Sequence, residues 1–64
     1  MEDRYYVYTT PDFENEVTDV VLFLDGIECW VKGFDDCDWR EARDFAINLS
    51  KELGVNYVGE VCKE

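Results

Sequence analysis

The sequence predicts an α+β domain in the order β-β-β-α-β, a small and mainly antiparallel sheet with one helix packed on one face. Three observations predict it. Asp25-Gly26 separates two alternating runs, Trp39 to Leu53 repeats its apolar residues at helical spacing, and β-branched or aromatic stretches lie before and after these segments. With 64 residues the chain makes one domain, residues 1–64. A domain of this size buries only about 60% of its unfolded surface, so its core is thin.

Residues 4 to 9, Arg-Tyr-Tyr-Val-Tyr-Thr, are rich in strand-favouring side chains and form the first strand. Alternation leaves two choices: Tyr5 and Val7 face the core, or Tyr6 and Tyr8 do. Thr10-Pro11 ends the strand, because proline fixes φ and removes a donor, so a loop or sheet edge begins there. The next segment carries acids at alternate positions. If it is extended, Asp12, Glu14 and Glu16 point to one side at ~6.8 Å intervals, with Phe13, Asn15 and Val17 opposite. Otherwise the segment is a solvated loop pinned by Phe13, or residues 10–17 fold over the outer face of the sheet with Phe13 as its cap.

The hairpin from Asp19 to Lys32 organises the rest. Asp-Gly is a strong signal for a two-residue type I′ turn. That turn pairs Leu24 with Ile27, Leu22 with Cys29 and Val20 with Val31 on one apolar face. On the other face it pairs Phe23 with Glu28, Val21 with Trp30 and Asp19 with Lys32.

A helix from about Trp39 to Leu53 follows. Asp38 is its expected N-cap, and Glu41 completes a capping-box pattern. Trp39, Ala42, Phe45, Ala46, Leu49 and Leu53 form the apolar stripe that should cover the hairpin, and Ser50 reads as a surface residue. Gly54 ends the helix as a left-handed C′ residue. A last strand from Val55 to about Cys62 directs Val55, Tyr57, Gly59 and Val61 inward and Asn56, Val58 and Glu60 outward.

Apolar residues at 47% and aromatics at 16% are a folded composition. Sixteen acids against six bases give a formal charge of -10. This sign excludes direct nucleic-acid binding, which draws on Lys and Arg, and disfavours attachment to anionic membranes. No apolar run approaches the ~20 residues of a membrane span, and the acidic Met1-Glu2-Asp3-Arg4 does not read as a signal peptide. Cys29, Cys37 and Cys62 are an odd, widely spaced set, and histidine is absent. That argues against a disulfide framework and a zinc site, and for a reducing, cytoplasmic compartment.

Catalytic chemistry has little to use. Ser50 is the one serine and has no histidine as base, and Cys37 lies among Asp35, Asp36 and Asp38, which oppose a thiolate. A fold this small is expected to lack a cleft of ~300 Å³ or more. The acids around Asp38 and Glu41 lack the spacing and glycine of a calcium loop. The expectation is therefore no enzyme, no cofactor and no metal.

A domain repelled by DNA is attracted to whatever attracts DNA. Carboxylates ~6.8 Å apart match every second phosphate of a strand with ~3.4 Å rise. Asp12, Glu14 and Glu16 are the expected row, extended by Asp19 and Glu28, with Asp35, Asp36 and Asp38 as a second cluster. In size, charge, lack of catalytic residues and α+β build, the chain resembles the small acidic inhibitors that bacteriophages make against host nucleic-acid machinery. These include anti-CRISPR proteins, anti-restriction DNA mimics and repair-enzyme inhibitors. The anti-CRISPR type suits this length best. The resemblance implies a basic nucleic-acid-binding protein or CRISPR effector complex as partner, in the cytoplasm of a host bacterium. The competing expectation is a protein-interaction module, a homodimer or an obligate partner subunit, using Val21, Phe23 and Trp30 on the outer face.

Overall fold

Asp25 and Gly26 adopt φ values of 49° and 92°, the left-handed positions that a type I′ turn requires. They join β2 (Val17–Leu24) to β3 (Ile27–Asp35). In the computed structural model, which describes residues 4–62, the expected register holds next to the turn. Leu24 faces Ile27, Phe23 faces Glu28, Leu22 faces Cys29 and Val21 faces Trp30. The register then shifts: Val20 lies opposite Lys32 and Asp19 opposite Gly33, leaving Val31 as the extra residue of a β-bulge. The expected pairs Val20–Val31 and Asp19–Lys32 are not formed. Instead the bulge turns Lys32 to the helix side, with its ammonium 4.9 Å from the centre of the Phe34 ring and 5.5 Å from that of Phe45. Cation–π attraction there, about 0.5–1 kcal/mol at an exposed site, rivals the ~0–1 kcal/mol of an exposed ion pair with Asp19.

The sheet order is β3-β2-β1-β4, with β1 (Tyr5–Asp12) antiparallel to β2 and parallel to β4 (Asn56–Glu60). The choice left open by alternation falls to Val7, fully buried on the helix side; Tyr6 and Tyr8 take the outer face. β1 continues through Pro11 instead of stopping before it. Pro11 shares its strand parity with Thr9, whose carbonyl accepts the Val61 N–H at 2.8 Å on the β4 side. β4 has ended beside Pro11, so no ladder donor is missed there. Residues 13–16 are neither an extended row nor a cover for the sheet: they are the turn of a β1–β2 hairpin.

A 3₁₀ turn, Asp36–Asp38, leads into α1 (Trp39–Leu53), which touches all four strands. Asp38 is the N-cap residue but makes no side-chain cap bond. The 3₁₀ turn holds it at φ -104°, ψ 28°, outside the extended geometry that aims a capping side chain, so the expected capping box with Glu41 does not form. At the other end Gly54, at φ 73°, donates its N–H to the Ser50 carbonyl as expected, and Val55 N–H reaches the same oxygen at 3.0 Å.

The core comprises Val7, Val20, Ala42 and Ala46, flanked by Leu22, Val31, Phe34, Phe45, Leu49, Val55 and Tyr57. The two alanines let the middle of α1 approach the sheet closely, so its ends overhang. Trp39 and Leu53, expected in the stripe, are half-exposed, and Ser50 is buried in their place. Its hydroxyl donates to the Ile47 carbonyl at 2.6 Å, which satisfies it inside the core. β4 ends at Glu60, short of the expected Cys62, and Val61 is exposed instead of inward.

Candidate partner-binding surface

The face of the sheet turned away from α1 carries a groove of about 520 Å³. β1 and its turn contribute Thr10, Pro11, Asp12, Phe13 and Glu14. β2 contributes Asp19 and Val21, and β3 contributes Glu28 and Trp30. Four of the acids expected to bind a partner, Asp12, Glu14, Asp19 and Glu28, are thus brought together. The groove also exceeds the ~300 Å³ that so small a fold was expected to lack, because the turn rises at one end of the sheet and Trp30 stands at its side.

Trp30 is 66% exposed, and its Nε1–H donates to Asp19 Oδ1 at 3.1 Å. The indole lies over Gly33. A Cβ added there would come within 3.2 Å of Asp19 Oδ1 and 3.5 Å of Trp30 Cζ2. A glycine opposite Asp19 is what leaves room for the pair.

The expected straight row of Asp12, Glu14 and Glu16 does not exist. The Asp12 carboxylate turns back to accept the Asn15 side-chain amide at 2.8 Å and the backbone N–H groups of Asn15 and Glu14 at 3.3 and 3.2 Å. These bonds, the Asn15 amide first, hold its carboxyl below the usual 3.8. Glu16 closes the turn in the left-handed region at φ 57° and is not among the residues that line Glu14's groove. It lines a separate hollow of about 470 Å³ with Asp35, Asp36 and Cys37. Asp36 N–H donates to the Glu16 carbonyl at 3.0 Å, tying the hairpin turn to the 3₁₀ turn. Asp35, Cys37 and Asp38 bring their ligand atoms within 4.8 Å of one another. This exposed mix of oxygen and sulfur matches neither a calcium nor a zinc template.

The aromatic surface expected from Val21, Phe23 and Trp30 is narrower than the pattern suggested. Val21 is 7% exposed, and Phe23 is half-buried, stacked on Tyr6 at 4.8 Å between ring centres. Trp30 alone of the three presents itself to solvent. Phe13 does not cap the outer face: it is 76% exposed and stands between the outer groove and a second hollow of about 520 Å³ under α1. Sequence reasoning missed both this position and the second hollow, whose walls include Trp39, Arg43 and Tyr57. The signal was Phe13 itself, an aromatic in a polar segment.

Three bases lie against rings on the helix side. Arg40 and Arg43 sit 5.2 and 5.6 Å from the Trp39 ring, and Arg43 also reaches Asp44 at 3.8 Å. Lys32 lies over Phe34 and Phe45, and none of the described residues that line the outer groove is a base. Among the described residues no helix is long and apolar enough to cross a membrane. Comparison with protein-family models, curated proteins and solved structures finds no match for this chain.

Proposed function

We propose that the chain is a non-enzymatic acidic inhibitor, a phage anti-CRISPR protein that mimics DNA and occupies a basic nucleic-acid-binding groove of a CRISPR effector complex in the bacterial cytoplasm. The observation that carries this reading is the convergence of acids on one groove, with no base among the described residues that line it. Asp12, Glu14, Asp19 and Glu28 line one groove, and Glu16, Asp35 and Asp36 adjoin it at the same end of the sheet. Lys32, Arg40 and Arg43 are drawn to rings on the helix side. A one-signed groove concentrates its field and speeds association with an opposite charge.

The test is displacement of target DNA from a purified effector complex in a gel-shift titration. Displacement is expected, with steep weakening as salt rises, since exposed charges are screened over ~8 Å at physiological ionic strength. Combined Glu14→Lys, Asp19→Lys and Glu28→Lys reversal should abolish it. Unchanged displacement by that variant would remove acidity as the mechanism.

Trp30 and Phe13, both exposed in the groove, favour a second reading in which the same surface is a homodimer contact. Sedimentation velocity across a range of concentrations separates the two. A salt-insensitive dimer that Trp30→Ala dissociates would support this second reading.

A further inference from the structure

We propose that Trp30 is the anchor of the acidic groove: an indole platform on which an arginine of the basic partner stacks while Asp19 receives its guanidinium. This rests on the reading that the partner is basic. The ring is two-thirds exposed, yet it is held in place. Its Nε1–H is fastened to Asp19 Oδ1 at 3.1 Å, and Gly33 beneath leaves the space in which it lies. The bond from Trp30 engages one of the two carboxylate oxygens of Asp19. Asp12 and Glu14 share the groove with Asp19, so its field favours a cation.

The same chain already displays the contact on its other side, where Arg40 and Arg43 approach the Trp39 ring. Trp39 has been supplied with cations by its own helix. No base is among the described residues that line the groove holding Trp30, and on the basic-partner reading the cation over this ring is the partner's. Arginine fits better than lysine because its planar guanidinium stacks on the ring and presents further N–H donors to a carboxylate. The acids draw a basic chain in, and the indole discriminates within it.

Isothermal titration with oligoarginine and oligolysine peptides of equal length, at low and at physiological salt, tests this. Oligoarginine should bind about three- to fivefold more tightly, in keeping with one cation–π contact at an exposed site. Trp30→Ala should erase that preference while the protein keeps its thermal unfolding midpoint. Trp30→Phe, which keeps a ring but loses the bond to Asp19, should retain part of it. Equal affinity for the two peptides, or a preference that survives Trp30→Ala, overturns the anchor and leaves the basic-partner reading standing. Failure of both peptides to bind at low salt overturns the two together.

Discussion

On the helix side of the sheet, cations rest on rings: Lys32 over Phe34 and Phe45, Arg40 and Arg43 over Trp39. On the outer face the exposed ring of β3, Trp30, is fastened instead to a carboxylate and surrounded by acids. Part of the contrast traces to one residue of backbone. A regular ladder would have set Lys32 beside Asp19 on the outer face, cancelling a charge in the groove. The bulge at Val31 sends Lys32 through to the other side and leaves Gly33 in its place, where the indole lies down. The one-signed lining of this groove is made by strand irregularity as much as by composition, and bulges commonly re-aim side chains in this way.

If the two faces have separate duties, damage to one should spare the other. The largest effect belongs to Val7→Ala, which empties a fully buried position on β1, between β2 and β4 and beneath α1. It should cost about 2–3 kcal/mol, a large share of a small domain's stability, as read by urea unfolding. Oligoarginine affinity of the molecules that remain folded should not change. Lys32→Met comes next. It keeps the stem's packing and loses only the ammonium over the two rings, so a loss of about 0.5–1 kcal/mol is expected. Affinity at the groove should again hold at physiological salt. A drop of severalfold in either variant would show that the faces are coupled.

The elements of the fold were legible because each had a local cause. Asp25-Gly26 fixes its own turn, and the apolar spacing and Gly54 delimit α1 at the observed residues. What was illegible depended on contacts distant in sequence. Nothing within Trp30-Val31-Lys32 announces a bulge; its advantage lies in the rings of Phe34 and Phe45. Proline in β1 read as a terminator because its harmlessness depends on where β4 stops. Alternating acids from Asp12 to Glu16 suggested an extended row, yet Asn15 between them is the turn residue whose amide binds Asp12. The acids of the groove could be named from sequence, but their convergence on Trp30 could not, since it follows from the bulged register and the turn together.

The smallest effect concerns that turn, and it links the groove to pH. Asp12 is held below its usual 3.8 by bonds from Asn15 and Glu14 to the charged carboxylate. A carboxyl whose folded pKa is depressed contributes its stabilisation in full above the unfolded value. That contribution is lost as pH falls through the lowered folded value. The Asn15 side-chain amide resonance should therefore titrate with a midpoint below 3.8, and Asp12→Asn should abolish that titration. Protonation removes one charge from the groove and also releases the turn that carries Glu14 into it. The Asn15 resonance reads the turn itself, while signals from Val7 and Ala46 should stay still. A midpoint at or above 3.8, or a titration of the Asn15 amide that Asp12→Asn leaves in place, would mean that the turn bonds do not set the charge at this end of the groove.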